Sequence, residues 1–370
     1  MRTLRLSIFP DHKCSEHGIV DSQPCPWPLC QNGLTDDQFQ VEPILEGDTP
    51  TVYTRKEWHS LTGDPYYSWE ESKLPNWFYV EKVIWNEARR KGVIAEEVPK
   101  LIYHYTSVDG FFGIVQHRNL WLSDYSYLND TRELSHGADL ICEVAEELRK
   151  NELRPLAASL LETWIKDIKT VNLRVCIASF SASADSLSQW RAYGPIAIGF
   201  KPRDVSIHTY RANLRPVEYC REKQRAMVEI CLHHMREAFL LDADANRLEK
   251  IKDVYHKTDK LIELVSFFKD PAFESEQEYR LVYIEYPGLT KLLGGKRAEK
   301  RFRISRGNIL PYVLSNELEP ILPNQKPLEI REVMLGPETN EMLERGIREF
   351  LAENGMDNVI IKRSIIPYRT

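Results

Sequence analysis

Apolar residues recur at helical spacing in parts of this chain and alternate with polar residues in others. Before Trp77 neither period is sustained, and Pro and Gly interrupt often. NWFYVEKVIWNEARRKGV, residues 76–93, then reads as one amphipathic helix. Phe78, Val80, Val83, Ile84 and Ala88 form its apolar stripe and Gly92 is its stop. From residue 101 short strands interleave with helices. LIYHYT is an alternating strand, Ser107 caps the helix VDGFFGIVQH, and LWLS is a second strand. Asp130 followed by Glu133 resembles a capping box opening a long helix, with Leu134, Ala138, Ile141, Ala145 and Leu148 on one face. RVCIASF and IAIGF are rich in β-branched residues and read as buried strands. Helical stretches follow at about 221–240 and 245–268, then the strand-like EYRLVYIEY, KRFRIS, EIREVML and NVIIKRS.

This interleaving predicts an α+β fold, a mixed sheet with several long helices. It covers residues 96–370, preceded by a Cys/His- and Trp-rich module over residues 1–95. There is no internal repeat. A length of 370 residues allows one to three domains. A hydrophobic content of 42% with 28% charged residues excludes a wholly disordered chain. A mean hydropathy of -0.42, with no apolar run near 18 residues, excludes a helical membrane protein, so no membrane partner is expected. The net charge of -6 exerts no global pull toward nucleic acid. MRTLRLSIFPDHKC lacks an apolar core of signal-peptide length, so the expected compartment is the cytoplasm.

Three of the seven cysteines lie within residues 14–30. Cys14, His17, Cys25 and Cys30 make a C-x2-H…C-x4-C pattern. Two close pairs on turns supply the four N/S ligands of tetrahedral zinc. Metal binding would also stabilise a segment poor in periodic apolar residues. The expectation is a structural, zinc-ribbon-like site, the alternative being ordinary loop thiols. Five of the eight tryptophans fall in the same module, which makes it a candidate surface for a protein partner. Cys142, Cys176, Cys220 and Cys231 read as small core residues.

No phosphate-binding GxxxxGK[ST], no GxGxxG, no GxSxG and no HExxH is present. Residues 291–306 hold Lys291, Lys296, Arg297, Lys300, Arg301, Arg303 and Arg306 against the single acidic Glu299. That run is either a solvated hairpin face or a phosphate contact for nucleic acid or a dinucleotide.

A set of ordered motifs is distinctive. Leu101-Ile102-Tyr103-His104-Tyr105-Thr106-Ser107 is followed by Leu120-Trp121-Leu122-Ser123, Leu128-Asn129-Asp130, Ser179-Phe180-Ser181 and Gln189-Trp190-Arg191-Ala192-Tyr193-Gly194. Ile198-Gly199-Phe200, Phe267-Phe268-Lys269, Glu276-Gln277-Glu278-Tyr279-Arg280, Leu335-Gly336-Pro337 and Ser364-Ile365-Ile366-Pro367-Tyr368-Arg369 complete it. Over about residues 98–370 this order resembles a bacterial domain-of-unknown-function family, the one numbered 2971. The resemblance implies a prokaryotic protein found near mobile or defence genes, which points to anti-phage defence or a toxin system.

An early strand His-Tyr-Thr and a late strand entered through Glu-x-Glu also resemble the ADP-ribosyltransferase superfamily. That likeness implies NAD as substrate, with nicotinamide leaving from a ribose carbon that becomes positively charged. It assigns His104 to orient the ribose, Glu278 to stabilise the transition state and Glu276 to the upstream acidic position. Ser179, Ser181 and Tyr193 compete for the middle position. Tyr105 and Thr106 would bind the dinucleotide, and Arg191 or Lys269 would neutralise pyrophosphate. The expectation is that His104 and Glu278 line one cleft. Two readings compete with it: an ion-pair network of Glu276, Glu278, Arg280 and Lys269, and a non-catalytic protein that binds nucleic acid or senses a partner.

Overall fold

The computed structural model describes residues 38–41, 51–54, 80–94, 98–127, 132–170, 173–209, 212–244, 258–285, 298–305, 307–318 and 327–367. Strands β1 (Gln38–Val41) and β2 (Thr51–Thr54) pair antiparallel. Cys14, His17, Cys25 and Cys30 lie outside the described residues, as do Phe78 and the capping-box Asp130. Among the described residues no group of three or more His, Cys, Asp or Glu is placed to hold a metal ion.

Helix α1 (Val80–Arg90) is followed by Gly92 at φ +66, a conformation Gly adopts without steric cost. Next come β3 (Ile102–Thr106), α2 (Val108–His117) and β4 (Trp121–Asp124). Ser107 caps α2 as expected, its Oγ accepting from the Gly110 N–H at 3.1 Å. The helices α3 (Arg132–Asn151) and α4 (Pro155–Asp167) precede β5 (Val175–Ser181). Then follow α5 (Leu187–Tyr193), β6 (Ile196–Phe200), α6 (Pro202–His208) and β7 (Ala212–Pro216). The chain continues through α7 (Arg221–Asp244), α8 (Asp259–Val265) and β8 (Glu278–Ile284). It closes with β9 (Arg301–Ser305), β10 (Asn308–Leu314), β11 (Glu332–Leu335), α9 (Glu341–Glu353) and β12 (Ile360–Arg363).

Strands β3 to β12 build one mixed sheet, in which β11 and β12 run parallel and the other pairs antiparallel. The fold is α+β, as the periodicity predicts. Alternation along the strands sends side chains to two cores. Val175, Ile177, Val282 and Ile284 face one side, with Ile141, Ala145, Leu161, Trp164, Val228 and Leu264 from the helices. Cys176, Ala178, Phe180, Leu281 and Tyr283 face the other, against Phe111, Ile114, Ile347 and Leu351 of α2 and α9. No helix among the described residues is long and apolar enough to cross a membrane.

The boundary expected near residue 95 does not separate two cores. Ile84, Trp85 and Ala88 of α1 are buried in the same cluster as α3, α4 and α7, and the Trp85 ring meets Phe267 edge-on at 5.8 Å. The apolar stripe of α1 is therefore completed by residues far along the chain, Phe267 among them.

One feature of the sheet positions the site. Strand β5 is paired along its length by β8 on one edge. On its other edge β4 meets Cys176 and Ile177, while β3 meets Ser181. The sheet divides between those contacts, and Ser179 lies at the division.

Candidate functional site

His104 occupies the division. Its Nδ1 donates to the Ser179 carbonyl at 2.9 Å, and its ring packs edge-on to Phe180 at 5.7 Å. A carbonyl only accepts, so Nδ1 carries the hydrogen. Desolvation lowers the His104 pKa, and the nearby positive charge of Arg303 acts in the same direction against the opposing bond to Ser179. The ring is thus neutral, with the lone pair on Nε2. That nitrogen has no protein partner among the described residues, and the side chain is only half-buried. The result is a tautomer-fixed imidazole, closely surrounded by protein yet open at one nitrogen.

Beside it, Arg303 of β9 donates from Nη2 to Ser123 Oγ at 2.7 Å and lies 5.4 Å from the Trp121 ring centre. Trp121 stacks on Tyr312 of β10 at 4.7 Å and 27°. Register explains the grouping: Tyr312 is opposite Ser123, and Arg303 lies two residues beyond the partner of Tyr312 on the same face. The motif LWLS carries the Trp and Ser, but sequence reasoning left both as strand residues and read Arg303 only as one charge in a basic run. That run divides in three dimensions. Arg301 pairs with Glu299 and Glu317, whereas Arg303 turns inward; Lys291, Lys296, Arg297 and Arg306 lie outside the described residues.

The structure separates His104 from Glu278. Tyr103 is opposite Ser181 and Ser181 is opposite Glu278, so Tyr103 and Glu278 share a face. His104, one residue on, points to the other face. The two are joined through Ser179, whose carbonyl accepts from His104 and whose hydroxyl donates to Glu278. The expectation that imidazole and carboxylate line one cleft does not survive this register.

Glu278 sits in a closed network. Arg280 donates to it twice, at 2.9 and 3.1 Å, and Lys269 Nζ lies 3.0 Å from Oε2. Lys269 also holds Glu276 at 2.7 Å, and Arg280 Nη1 donates to the Ser266 carbonyl at 2.9 Å. Glu278 is buried to 5% exposure. Burial alone would raise its pKa, but the charges of Arg280 and Lys269, with hydrogen bonds from Arg280 and Ser179, hold it down at about 2. Lys269, whose pKa burial would lower, is pushed up by the two carboxylates. Glu276 ends a 3-10 turn rather than lying on β8, and Gln277 between the two glutamates takes φ +45. The pair meets through Lys269 and not through strand alternation.

The remaining expected residues hold the loops. The Tyr105 hydroxyl donates to the Ser183 carbonyl at 2.9 Å and accepts from the Ser186 N–H at 3.1 Å, while the ring packs on Trp190 at 4.6 Å. Ser181 Oγ donates to the Glu276 carbonyl at 2.7 Å and accepts from the Ser183 N–H. Both side chains are buried with these bonds made, which leaves neither for a dinucleotide. Thr106 is half-buried at the end of β3; Arg191 and Tyr193 are exposed on α5. Asp185 is the hub that sequence reasoning missed. It accepts from the Trp190 indole at 2.8 Å, the Ser364 hydroxyl at 2.7 Å and the Ile365 N–H at 3.0 Å. The Gln-Trp-Arg-Ala-Tyr-Gly and Ser-Ile-Ile-Pro motifs therefore meet on one carboxylate. Close packing finishes the cluster: Gly194 has φ +129, and a Cβ there would lie 2.7 Å from the Thr106 carbonyl.

Cys176 and Cys231 are buried free thiols, while Cys142 and Cys220 are half-buried. His234, next to His233, pairs with Glu87 of α1.

No curated protein and no solved structure matches the chain. A family model described as a protein of unknown function, DUF2971, matches residues 189–281, the stretch from the Trp190 turn through α7 to the Glu278 network and the middle of β8. Over that stretch the motifs and the match agree, and there the chain is similar to the DUF2971 family.

Proposed function

We propose that the protein is an enzyme that acts on a nucleotide of the NAD type where the sheet divides, with His104 as its general base. One observation carries this reading: an imidazole oriented by the Ser179 carbonyl at Nδ1, whose Nε2 has no hydrogen-bond partner among the described residues. A base needs that arrangement, because a second-shell bond fixes which nitrogen is free to take a proton. NAD enters through the resemblance of the His-Tyr-Thr strand to ADP-ribosyltransferases.

In the reaction, Nε2 takes the proton of water or of an acceptor hydroxyl as its oxygen bonds the ribose carbon. The carbon–nitrogen bond to nicotinamide breaks and its electron pair leaves with the ring, so nicotinamide departs neutral. The products are nicotinamide and ADP-ribose, free or attached to the acceptor. Glu278 is ionised as an oxocarbenium-stabilising carboxylate must be, but it is committed to Lys269 and Arg280 on the opposite face. In this account it builds the floor of the site rather than touching substrate.

His104→Asn is the test. The Asn amide replaces Nδ1–H toward Ser179 and removes the base. Nicotinamide release should fall by about 100-fold to 10,000-fold, with the melting temperature near that of wild type. Unchanged release would remove His104 from the chemistry.

A partner-sensing role has one observation of its own. Phe302, Ile304 and Ile309 are 62%, 84% and 66% exposed on the β9–β10 hairpin, an apolar patch of the kind that interfaces use.

A further inference from the structure

We propose that Arg303, Ser123 and the Trp121–Tyr312 pair form a subsite for the phosphate and base of a nucleotide. The inference rests on the reading above for its place beside His104, but not for its own support. That support is a guanidinium without a carboxylate partner among the described residues. Arg280, Arg174, Arg236 and Arg331 each meet a carboxylate, at 2.9, 2.9, 2.9 and 2.8 Å respectively. Arg303 meets none among the described residues, and its single hydrogen bond goes to the Ser123 hydroxyl. Its Nε is buried without a hydrogen-bond partner. Desolvation lowers its pKa, and no carboxylate opposes that effect.

A guanidinium removed from water without a counter-ion is costly to the fold. Such a cost persists where an anion bound in function removes it. Arg suits phosphate because its planar fork donates two parallel hydrogen bonds. A second feature stands next to the charge. Trp121 stacks with Tyr312 and yet is 38% exposed, which offers an aromatic surface to a base. Together, cation and aromatic surface select a nucleoside phosphate over inorganic phosphate or a bare nucleoside. His104 lies close enough for the Arg303 charge to act on it, so a phosphate held by Arg303 is within electrostatic reach of the base.

The experiment is calorimetric titration of the full chain with AMP, adenosine and inorganic phosphate, using wild type, Arg303→Gln and Arg303→Lys. AMP should bind more tightly than adenosine or phosphate, each by about tenfold or more. Arg303→Gln should weaken AMP by about tenfold to a hundredfold and leave adenosine unchanged. Arg303→Lys, which keeps the charge but loses the fork, should fall between. Without ligand, Arg303→Gln should melt no lower than wild type, because it removes a charge that meets no carboxylate among the described residues. Absence of AMP binding, or equal AMP binding by Arg303→Gln, overturns the subsite. Phosphate binding as tightly as AMP assigns the site to a simple anion and overturns the nucleotide claim. His104→Asn keeps the two proposals apart. Loss of nicotinamide release without AMP binding leaves the base standing alone; Arg303-dependent AMP binding with undiminished release leaves the subsite alone.

Discussion

At the scale of the residue, ionisable groups in this domain are settled by their partners more than by their identity. His104 and Glu278 both touch Ser179, and their environments drive them to opposite ends of function. His104 is desolvated and keeps a nitrogen with no partner among the described residues; Glu278 is desolvated and surrounded by cations. The pH dependence of stability follows from the second. Glu278 has a folded pKa of about 2, below its ordinary 4.5. Its contribution is fully present above about pH 4.5 and is lost as the pH falls toward 2, to a total on the order of 3 kcal/mol. Urea unfolding of wild type and Glu278→Gln between pH 6 and 3 checks this: wild type should lose stability over that interval by more than the variant does. The sequence displayed both residues clearly, in His-Tyr-Thr and Glu-x-Glu. It did not display their faces, because those depend on Tyr103 pairing with Ser181, a contact seventy-eight positions apart. Arg303 was hidden for a related reason. Only the acidic partners of Arg301, Glu299 and Glu317, show which arginine of the basic run is neutralised and which is not.

At the scale of the element, periodicity located β3, β5, β6, β8 and the helices α1 and α3 because each is strongly patterned. Strands β7 and β10 went unread. Pro216 ends the first, and Pro311 inside the second removes a backbone donor, which argues against a strand until β4 and β9 supply the pairing. The carboxyl-terminal segment after β12 shows how the motifs act as connectors. Its Ser364 and Ile365 are tied to Asp185 in the loop before α5, and Trp190 of α5 is tied to the same group. Asp185→Ala should release that strap. Hydrogen exchange at Ile365 and Ile366 should quicken markedly, while amides of β5 keep their protection. Unaltered exchange at Ile365 would mean that the strap is held by something other than Asp185.

At the scale of the whole molecule, two helical layers cover the sheet, and the layer containing α1 reaches back past the boundary that composition suggested. The tryptophan and cysteine content of the first hundred residues marks a change of character, but the core does not respect it. Chains beginning at residue 80 and at residue 96 should therefore differ. The shorter one loses Ile84, Trp85 and Ala88 from the interior, at a cost of about 3–6 kcal/mol for the two large side chains. Comparing their denaturant midpoints measures the difference, and equal midpoints would show that α1 is dispensable to the core. The division of the sheet is a whole-molecule property too. It follows from β3 and β4 both claiming one edge of β5, which no local pattern announces.

Nitrogen-15 resonances of the His104 ring test the account most directly. At pH 6.5, where an ordinary histidine is about half charged, Nδ1 should give the signal of a protonated nitrogen and Nε2 that of a bare one. Addition of AMP should then shift the Nε2 signal. A charged ring at that pH, or a proton on Nε2 instead of Nδ1, would contradict the assignment of His104 as the base.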